Sequence, residues 1–199
     1  MKTAVIYIHG KGGEPGESEH YKPLFPDCDV TGFDYRAETP WEAKKEFTGY
    51  FDSFSENYDK LILIANSIGA YFTLNAEVSE KVGMAFFISP VTDMENLITS
   101  MMTFEGVTEE ELRKKEEIVT ASGETLSWQY LCHVRENRVK WSVPTHILYG
   151  ENDGLVSFET VKRFAAENGA SLTVMPGGEH WFHTEEQMSF LDGWIKAQA

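Results

Sequence analysis

The sequence predicts an α/β fold, with a mostly parallel six-stranded sheet carrying helices on both faces. Three observations carry that reading. Short apolar runs alternate along the chain with stretches of helical periodicity. The central runs, Leu61-Ile62-Leu63-Ile64 and Met84-Ala85-Phe86-Phe87-Ile88, are too uniformly apolar for either face to meet water, as buried parallel strands require. Recognisable helix starts and stops lie between the runs.

Taken in order, Thr3-Ala4-Val5-Ile6-Tyr7-Ile8 reads as a strand that runs into His9-Gly10-Lys11-Gly12-Gly13. A Gly/Pro/Glu-rich loop follows, then a short strand near Asp29-Val30-Thr31-Gly32-Phe33. Thr39-Pro40-Trp41-Glu42 combines a capping residue, a proline in the first turn and a glutamate at the capping-box position. The helix it opens presents Ala43, Phe47, Tyr50, Phe51 and Phe54 along one side. The strand Leu61–Ile64 leads into Ala65-Asn66-Ser67-Ile68-Gly69-Ala70, and Ile68 to Ala76 is rich in helix formers. After the strand Met84–Ile88, the pattern changes between Pro90 and Ser142. No good strand is read there, only two or three helices. Met94, Leu97, Ile98, Met101 and Met102 form an apolar stripe, Thr108-Glu109-Glu110-Glu111 starts a charged helix, and Leu126, Tyr130, Leu131 and Val134 mark another. The strand His146–Tyr149, a helix through Val161, Phe164 and Ala165 that stops near Asn168-Gly169, and the strand Ser171–Met175 follow. Thr184-Glu185-Glu186-Gln187 starts the last helix, which buries Met188, Leu191, Trp194 and Ile195.

The chemistry begins at Ser67, at a junction of strand and helix. A sharp turn there forces strained dihedrals and leaves the hydroxyl exposed at the carboxyl end of the sheet. Strand and helix then pass so closely that the flanking residues must be small, as Ala65 and Gly69 are. A serine that merely caps the following helix would look the same locally, so partners decide between the two. Asp153 lies in Gly150-Glu151-Asn152-Asp153-Gly154, directly after one strand, and His180 lies in Gly177-Gly178-Glu179-His180-Trp181, directly after another. A metal reading of His180, His183 and Glu179 lacks a third well-placed ligand group. The glycines after His9 do not form a phosphate loop, because no Gly-Lys-Ser/Thr precedes a helix and acidic residues come next.

The small-x-Ser-x-small junction, the chain order Ser, Asp, His, and the placement of each after a strand resemble the α/β-hydrolases over nearly the whole chain. The pattern departs from G-x-S-x-G only in Ala65, the smallest possible addition to glycine. The resemblance implies one domain over residues 1–199, with a helical cap inserted at about 91–142 above the nucleophile. It also implies that two amino-terminal strands usual in the family are missing, since this chain opens on the His-Gly strand. Ser67 is then the nucleophile, His180 the base that takes its proton, and Asp153 the carboxylate that fixes the imidazole. The backbone N–H groups of Lys11 and Ile68 become the oxyanion donors, and Met101, Met102 and Trp181 the candidates to line a small acyl pocket. Asp93, after the strand Met84–Ile88, is a rival acid, but the Gly-Glu-Asn-Asp-Gly loop resembles the family's usual acid loop. His183 is a rival base, but it immediately precedes the final helix. The implied reaction is hydrolysis of a small ester through an acyl-enzyme, with no metal or organic cofactor. Thioester, lactone or short-peptide hydrolysis, acyl transfer, and a hydrolase-fold binding or receptor role with little turnover stay open beside it.

Composition sets the outer bounds. A chain of 199 residues suits one large core. A net charge of −15 argues against a nucleic-acid partner, which needs a basic face, and disfavours strongly anionic substrates. The two cysteines, Cys28 and Cys132, form no disulfide framework and suit a cytoplasmic setting. The amino-terminal apolar run is too short for a signal peptide, and no stretch approaches the roughly 18 apolar residues of a membrane span. Oligomeric state leaves no trace in the sequence.

Overall fold

The computed structural model describes residues 2–198. These divide into two compact units, one built from the segments up to Thr92 and from Lys140 onward, the other from Asp93–Val139. In the first unit, six strands pair in parallel: β1 (Thr3–Ile8), β2 (Asp29–Gly32), β3 (Lys60–Asn66), β4 (Met84–Ile88), β7 (Thr145–Gly150) and β8 (Ser171–Met175). Their order across the sheet is β2-β1-β3-β4-β7-β8. From β1 the chain steps to the edge at β2, then returns to add β3 on the other side. That reversal makes the carboxyl ends of β1 and β3 the switch point of the sheet, where open α/β sheets bind their ligands.

Alternation along the strands sends neighbouring side chains to opposite faces, and both faces are covered. On β4, the Phe86 ring meets Trp194 of α7 (Glu185–Gln198) edge-on at 5.5 Å, while that of Phe87 lies 6.5 Å from Phe164 of α6 (Phe158–Asn168). One face carries a cluster of Val5, Tyr7, Ile64, Phe86 and Leu148 closed by Leu191, Trp194 and Ile195. On the other, α1 (Pro40–Ser55) packs beside α2 (Ile68–Asn75), with Phe47 and Phe72 edge-to-face at 6.3 Å. Burial of these apolar side chains supplies the main driving force for the layering. Ala4, Ile6 and Ile8 of β1 and Leu63, Ile64 and Ala65 of β3 are fully buried, as strands covered on both faces demand.

Local signals place the helix ends. Thr39 caps α1 by accepting from the Glu42 N–H, and the Glu42 carboxylate returns to the Thr39 N–H at 3.1 Å. Two expectations need correction. Residues 15–24, read as loop, form 3₁₀ turns (Pro15–Leu24) that bury Ser18 and Tyr21. Period-three turns leave no α-helical stripe, and Pro23 lies inside them. In the last helix Met188 is only partly buried, and Gln187 takes the interior position, accepting from the His183 N–H at 3.0 Å.

The second unit holds α3 (Met94–Glu105), α4 (Glu109–Lys115) and α5 (Trp128–Glu136). It also contains an antiparallel hairpin of β5 (Glu117–Val119) and β6 (Thr125–Ser127), where no good strand was expected. Strands of three residues are too short to show a period. Arg135 joins the helices by bonding Glu95 of α3 at 2.7 Å and Glu109 of α4 at 2.9 Å. No helix among the described residues is long and apolar enough to cross a membrane.

The Thr39 cap yields a direct test. Thr39→Ala leaves the first-turn N–H of Glu42 without its partner, and we expect a loss of about 1 kcal/mol in urea unfolding. An unchanged midpoint would show that the cap contributes nothing.

Candidate active site

Ser67 stands where β3 ends and α2 begins, with φ 49 and ψ −119. Such a backbone conformation is strained for an L residue and persists only where neighbours enforce it. They do so here. The Ser67 N–H donates to the Ile88 carbonyl at 3.0 Å, and the Ser67 carbonyl accepts from Val91 at 3.1 Å and Ala70 at 3.2 Å. At Gly69 a Cβ would come within 2.4 Å of the His9 carbonyl oxygen, so α2 starts hard against the loop that follows β1. That loop is fixed in turn. The Tyr35 hydroxyl donates to the same His9 carbonyl at 2.8 Å, and the rings of Tyr35 and His9 stack at 4.3 Å. The chain reverses over Gly10–Gly13, closed by a 3.1 Å bond from Gly13 N–H to Gly10 O, with Gly12 at φ 74 where only glycine is unstrained.

The loops after β7 and β8 bring the other two predicted side chains to this point. The His180 Nε2 lies 2.9 Å from the Ser67 Oγ, and its Nδ1 lies 2.7 Å from Asp153 Oδ2. The Asp153 side chain is fully buried, and its Oδ1 accepts from the N–H groups of Leu155 and Val156, each at 2.9 Å. These three donors satisfy a buried carboxylate that would otherwise be expensive to desolvate. Below it, the Tyr149 hydroxyl donates to the Val156 carbonyl at 2.7 Å. Burial, with the neighbouring Asp153 carboxylate, pushes the Tyr149 phenol up to about 12.

Sequence reasoning missed what joins these two loops. A Cβ on Gly150 would lie 2.5 Å from the Glu179 carbonyl oxygen and 2.6 Å from that of Gly178. The Asn152 N–H reaches the Gly178 carbonyl at 2.7 Å, and the Glu151 carboxylate accepts from Gly177 N–H at 2.9 Å. Both glycines were visible in the sequence, but nothing local announces that they meet.

The rival residues are engaged elsewhere. Asp93 caps α3 by accepting from the Asn96 N–H at 2.8 Å. His183 lies 2.7 Å from the Trp181 carbonyl through Nδ1 and 3.7 Å from Glu179, at the approach to α7. Of the pocket candidates, Trp181 is 73% exposed and stacks on the His183 ring at 4.8 Å, whereas Met102 is buried and Met101 half-buried on α3. Lys11 occupies the Gly10–Gly13 turn, and Ile68 opens α2, where first-turn N–H groups lack intrahelical partners. Among the described residues, no group of three or more His, Cys, Asp and Glu side chains could hold a metal ion.

Two outcomes check this geometry. Gly150→Ala forces the acid and histidine loops apart, so we expect loss of the low-field proton NMR resonance of an imidazole N–H bonded to a carboxylate. Retention of that resonance would disprove the close-packing account. The second concerns alkaline pH. Tyr149 titrates above its unfolded value of 10.0, so its contribution to stability is complete below pH 10 and lost as pH rises through about 12. The thermal midpoint should therefore fall over that window, and less steeply in Tyr149→Phe. Equal slopes would rule out this source.

No protein-family model matches the chain. No curated protein matches it in sequence. Solved structures do match. The α/β hydrolase domain-containing protein 10 from mouse superposes with a TM-score of 0.74 at 18% identity, covering 98% of this chain and 88% of that one. A soluble variant of monoglyceride lipase from Saccharomyces cerevisiae gives 0.67 at 12% identity, over 99% and 86%. An α/β serine hydrolase without lid from Xanthomonas campestris gives 0.65 at 14% identity, over 98% and 79%. With sequence this distant, the likeness establishes architecture: the chain has the α/β-hydrolase fold.

Proposed function

We propose that the protein is a serine hydrolase that cleaves a small carboxylic ester through an acyl-enzyme. The observation that carries the proposal is the continuous contact Ser67–His180–Asp153, at 2.9 and 2.7 Å, on a strained serine at the switch point of the sheet. Fold alone does not fix function, whereas a hydroxyl, an imidazole and a buried carboxylate in this order do one kind of chemistry well.

A serine hydroxyl is a weak nucleophile at neutral pH. As Ser67 Oγ bonds to the ester carbonyl carbon, His180 Nε2 takes the hydroxyl proton. The tetrahedral oxyanion is met by the N–H groups of Lys11 and Ile68, each such donor contributing about 2.7–4 kcal/mol in the transition state. The start of α2 adds the positive end of its dipole. The C–O bond to the leaving group then breaks, and His180 returns the proton to the departing alkoxide. Water resolves the acyl-enzyme by the same sequence, again deprotonated by His180. Throughout, Asp153 Oδ2 keeps the Nδ1 proton in place, so that Nε2 faces Ser67 as acceptor, and stabilises the imidazolium as it forms. The chain's own acidity favours neutral substrates. Both cysteines are free thiols, which suits a reducing cytoplasm.

A fluorophosphonate probe tests the assignment. The wild type should label and Ser67→Ala should not, with Asp153→Asn lowering kcat by about 10⁴-fold while the fold is kept. Activity on p-nitrophenyl esters should peak at short acyl groups such as acetyl or butyryl. A folded wild type that resists labelling would end the hydrolase reading, and a preference for laurate would end the small-acyl part of it.

A further inference from the structure

Behind the nucleophile lies a polar chain that the reaction as written does not use. The Asn66 Nδ2, one residue before Ser67, donates to the Tyr7 hydroxyl at 2.8 Å. Tyr7 in turn donates to the Glu17 carboxylate. The other carboxylate oxygen of Glu17 accepts from the Glu14 N–H at 3.2 Å. The carboxylate also lies against Gly13, where a Cβ would meet Glu17 Oε1 at 3.0 Å. Tyr7 has one proton and gives it to Glu17, so it can offer Asn66 only a lone pair. This fixes which end of the Asn66 amide faces it. The price is visible: Asn66 Oδ1 is buried and accepts no hydrogen bond from any described residue, a shortfall native folds seldom tolerate.

The chain runs between two segments of unrelated sequence position. At one end is the turn that carries the Lys11 N–H. At the other is the elbow that carries Ser67 and the Ile68 N–H. We infer that Glu17, Tyr7 and Asn66 are positioning residues that hold the two oxyanion donors at a fixed separation. This rests on the hydrolase reading above. None of the three touches the reacting atoms; they act through the main chain on either side. An oxyanion hole works only if its donors are set before charge develops, and loss of a single donor lowers kcat by about 10²–10³-fold. Loosening the pair should cost part of that. Because the oxyanion exists only after attack, the deficit belongs in kcat, with KM unmoved.

The test is steady-state hydrolysis of p-nitrophenyl butyrate by the wild type and four variants of the intact chain, each confirmed folded by circular dichroism. Tyr7→Phe keeps the buried ring but breaks the chain at its centre, and should lower kcat about tenfold or more with KM within about twofold. Glu17→Ala, which removes the acceptor of the Tyr7 hydroxyl at an exposed residue, should do the same in protein that circular dichroism shows to be folded. Glu17→Gln retains an acceptor for the Tyr7 hydroxyl and should recover most of the loss. The double variant Tyr7→Phe/Glu17→Ala should be no slower than the worse single one, since a chain already broken cannot be broken again. If Tyr7→Phe or Glu17→Ala keeps kcat within about twofold of an active wild type, or if the two losses multiply, the positioning role is refuted and the hydrolase stands. A folded wild type that neither hydrolyses the ester nor labels with fluorophosphonate removes both.

Discussion

The site depends on one tight passage of main chain, the crossing of α2's first turn over the loop after β1. With Gly69 separated from the His9 carbonyl by less than a methyl group's width, the helix cannot start later or tilt outward without losing contact. Ser67 is left to absorb the change of direction between strand and helix at φ 49. Residues so strained cost about 1–3 kcal/mol and survive only where surrounding contacts outweigh them. Here the enforcing contacts are backbone bonds to Ile88 and Val91 together with the buried centres of strands β1, β3 and β4. A core that looks merely structural is therefore what aims the serine. The same passage brings the loop after β1 against the first turn of α2, so Ser67 and the Gly10–Gly13 turn are placed by one contact.

A second passage does for Asp153 and His180 what the first does for Ser67. β7 and β8 are neighbours, so the loops leaving them are adjacent from the start. Adjacency alone leaves side chains several ångströms apart. The back-to-back approach of Gly150 and Gly178 removes that gap and lets the Asn152 N–H bond across it. Asp153 is then rigid for reasons of its own, since Oδ1 is held by two N–H groups of its own loop and only Oδ2 is left to face the histidine. Under the proposed mechanism, preorganisation of this kind means that little rearrangement accompanies proton transfer, which is where the electrostatic advantage of such sites lies.

What the sequence revealed follows from the range over which each signal acts. Strands β1, β4 and β8 were read with their observed bounds because short runs of strand-forming residues bounded by turn residues are local. The α1 start was legible because a capping box is complete within four residues. The Ser, Asp and His positions were legible because each follows a strand. The 3₁₀ turns at Pro15–Leu24 and the three-residue strands of the 93–139 unit were not, since neither repeats long enough to show a period. Nor was the Asn66–Tyr7–Glu17 chain, whose partners come from β3, β1 and the 3₁₀ segment. Tyr7 in particular looks like any other apolar residue of a buried strand, and its hydroxyl matters only once Glu17 is known to lie over it.

That last case bears on how much of a fold is there for its own stability. Tyr7 is 1% exposed amid an apolar cluster, and β1 would be well served there by a phenylalanine. A hydroxyl in that place loses water and must be satisfied, which by itself offers at best a small net gain. Position 66 makes the same point more strongly. An asparagine whose buried oxygen has no partner among the described residues is worse for stability than a small apolar residue, at about 1–3 kcal/mol for an unsatisfied buried group. Two unfavourable choices at sites far apart in sequence, joined by a hydrogen bond and ending on the loop opposite the elbow, are hard to account for as packing. They are what geometry requires where two segments must be kept in register by bonds with direction, since apolar contacts resist compression but not sliding. The polar chain supplies that direction beside Ser67, whose backbone is already strained, where a shift of a few tenths of an ångström would be felt first.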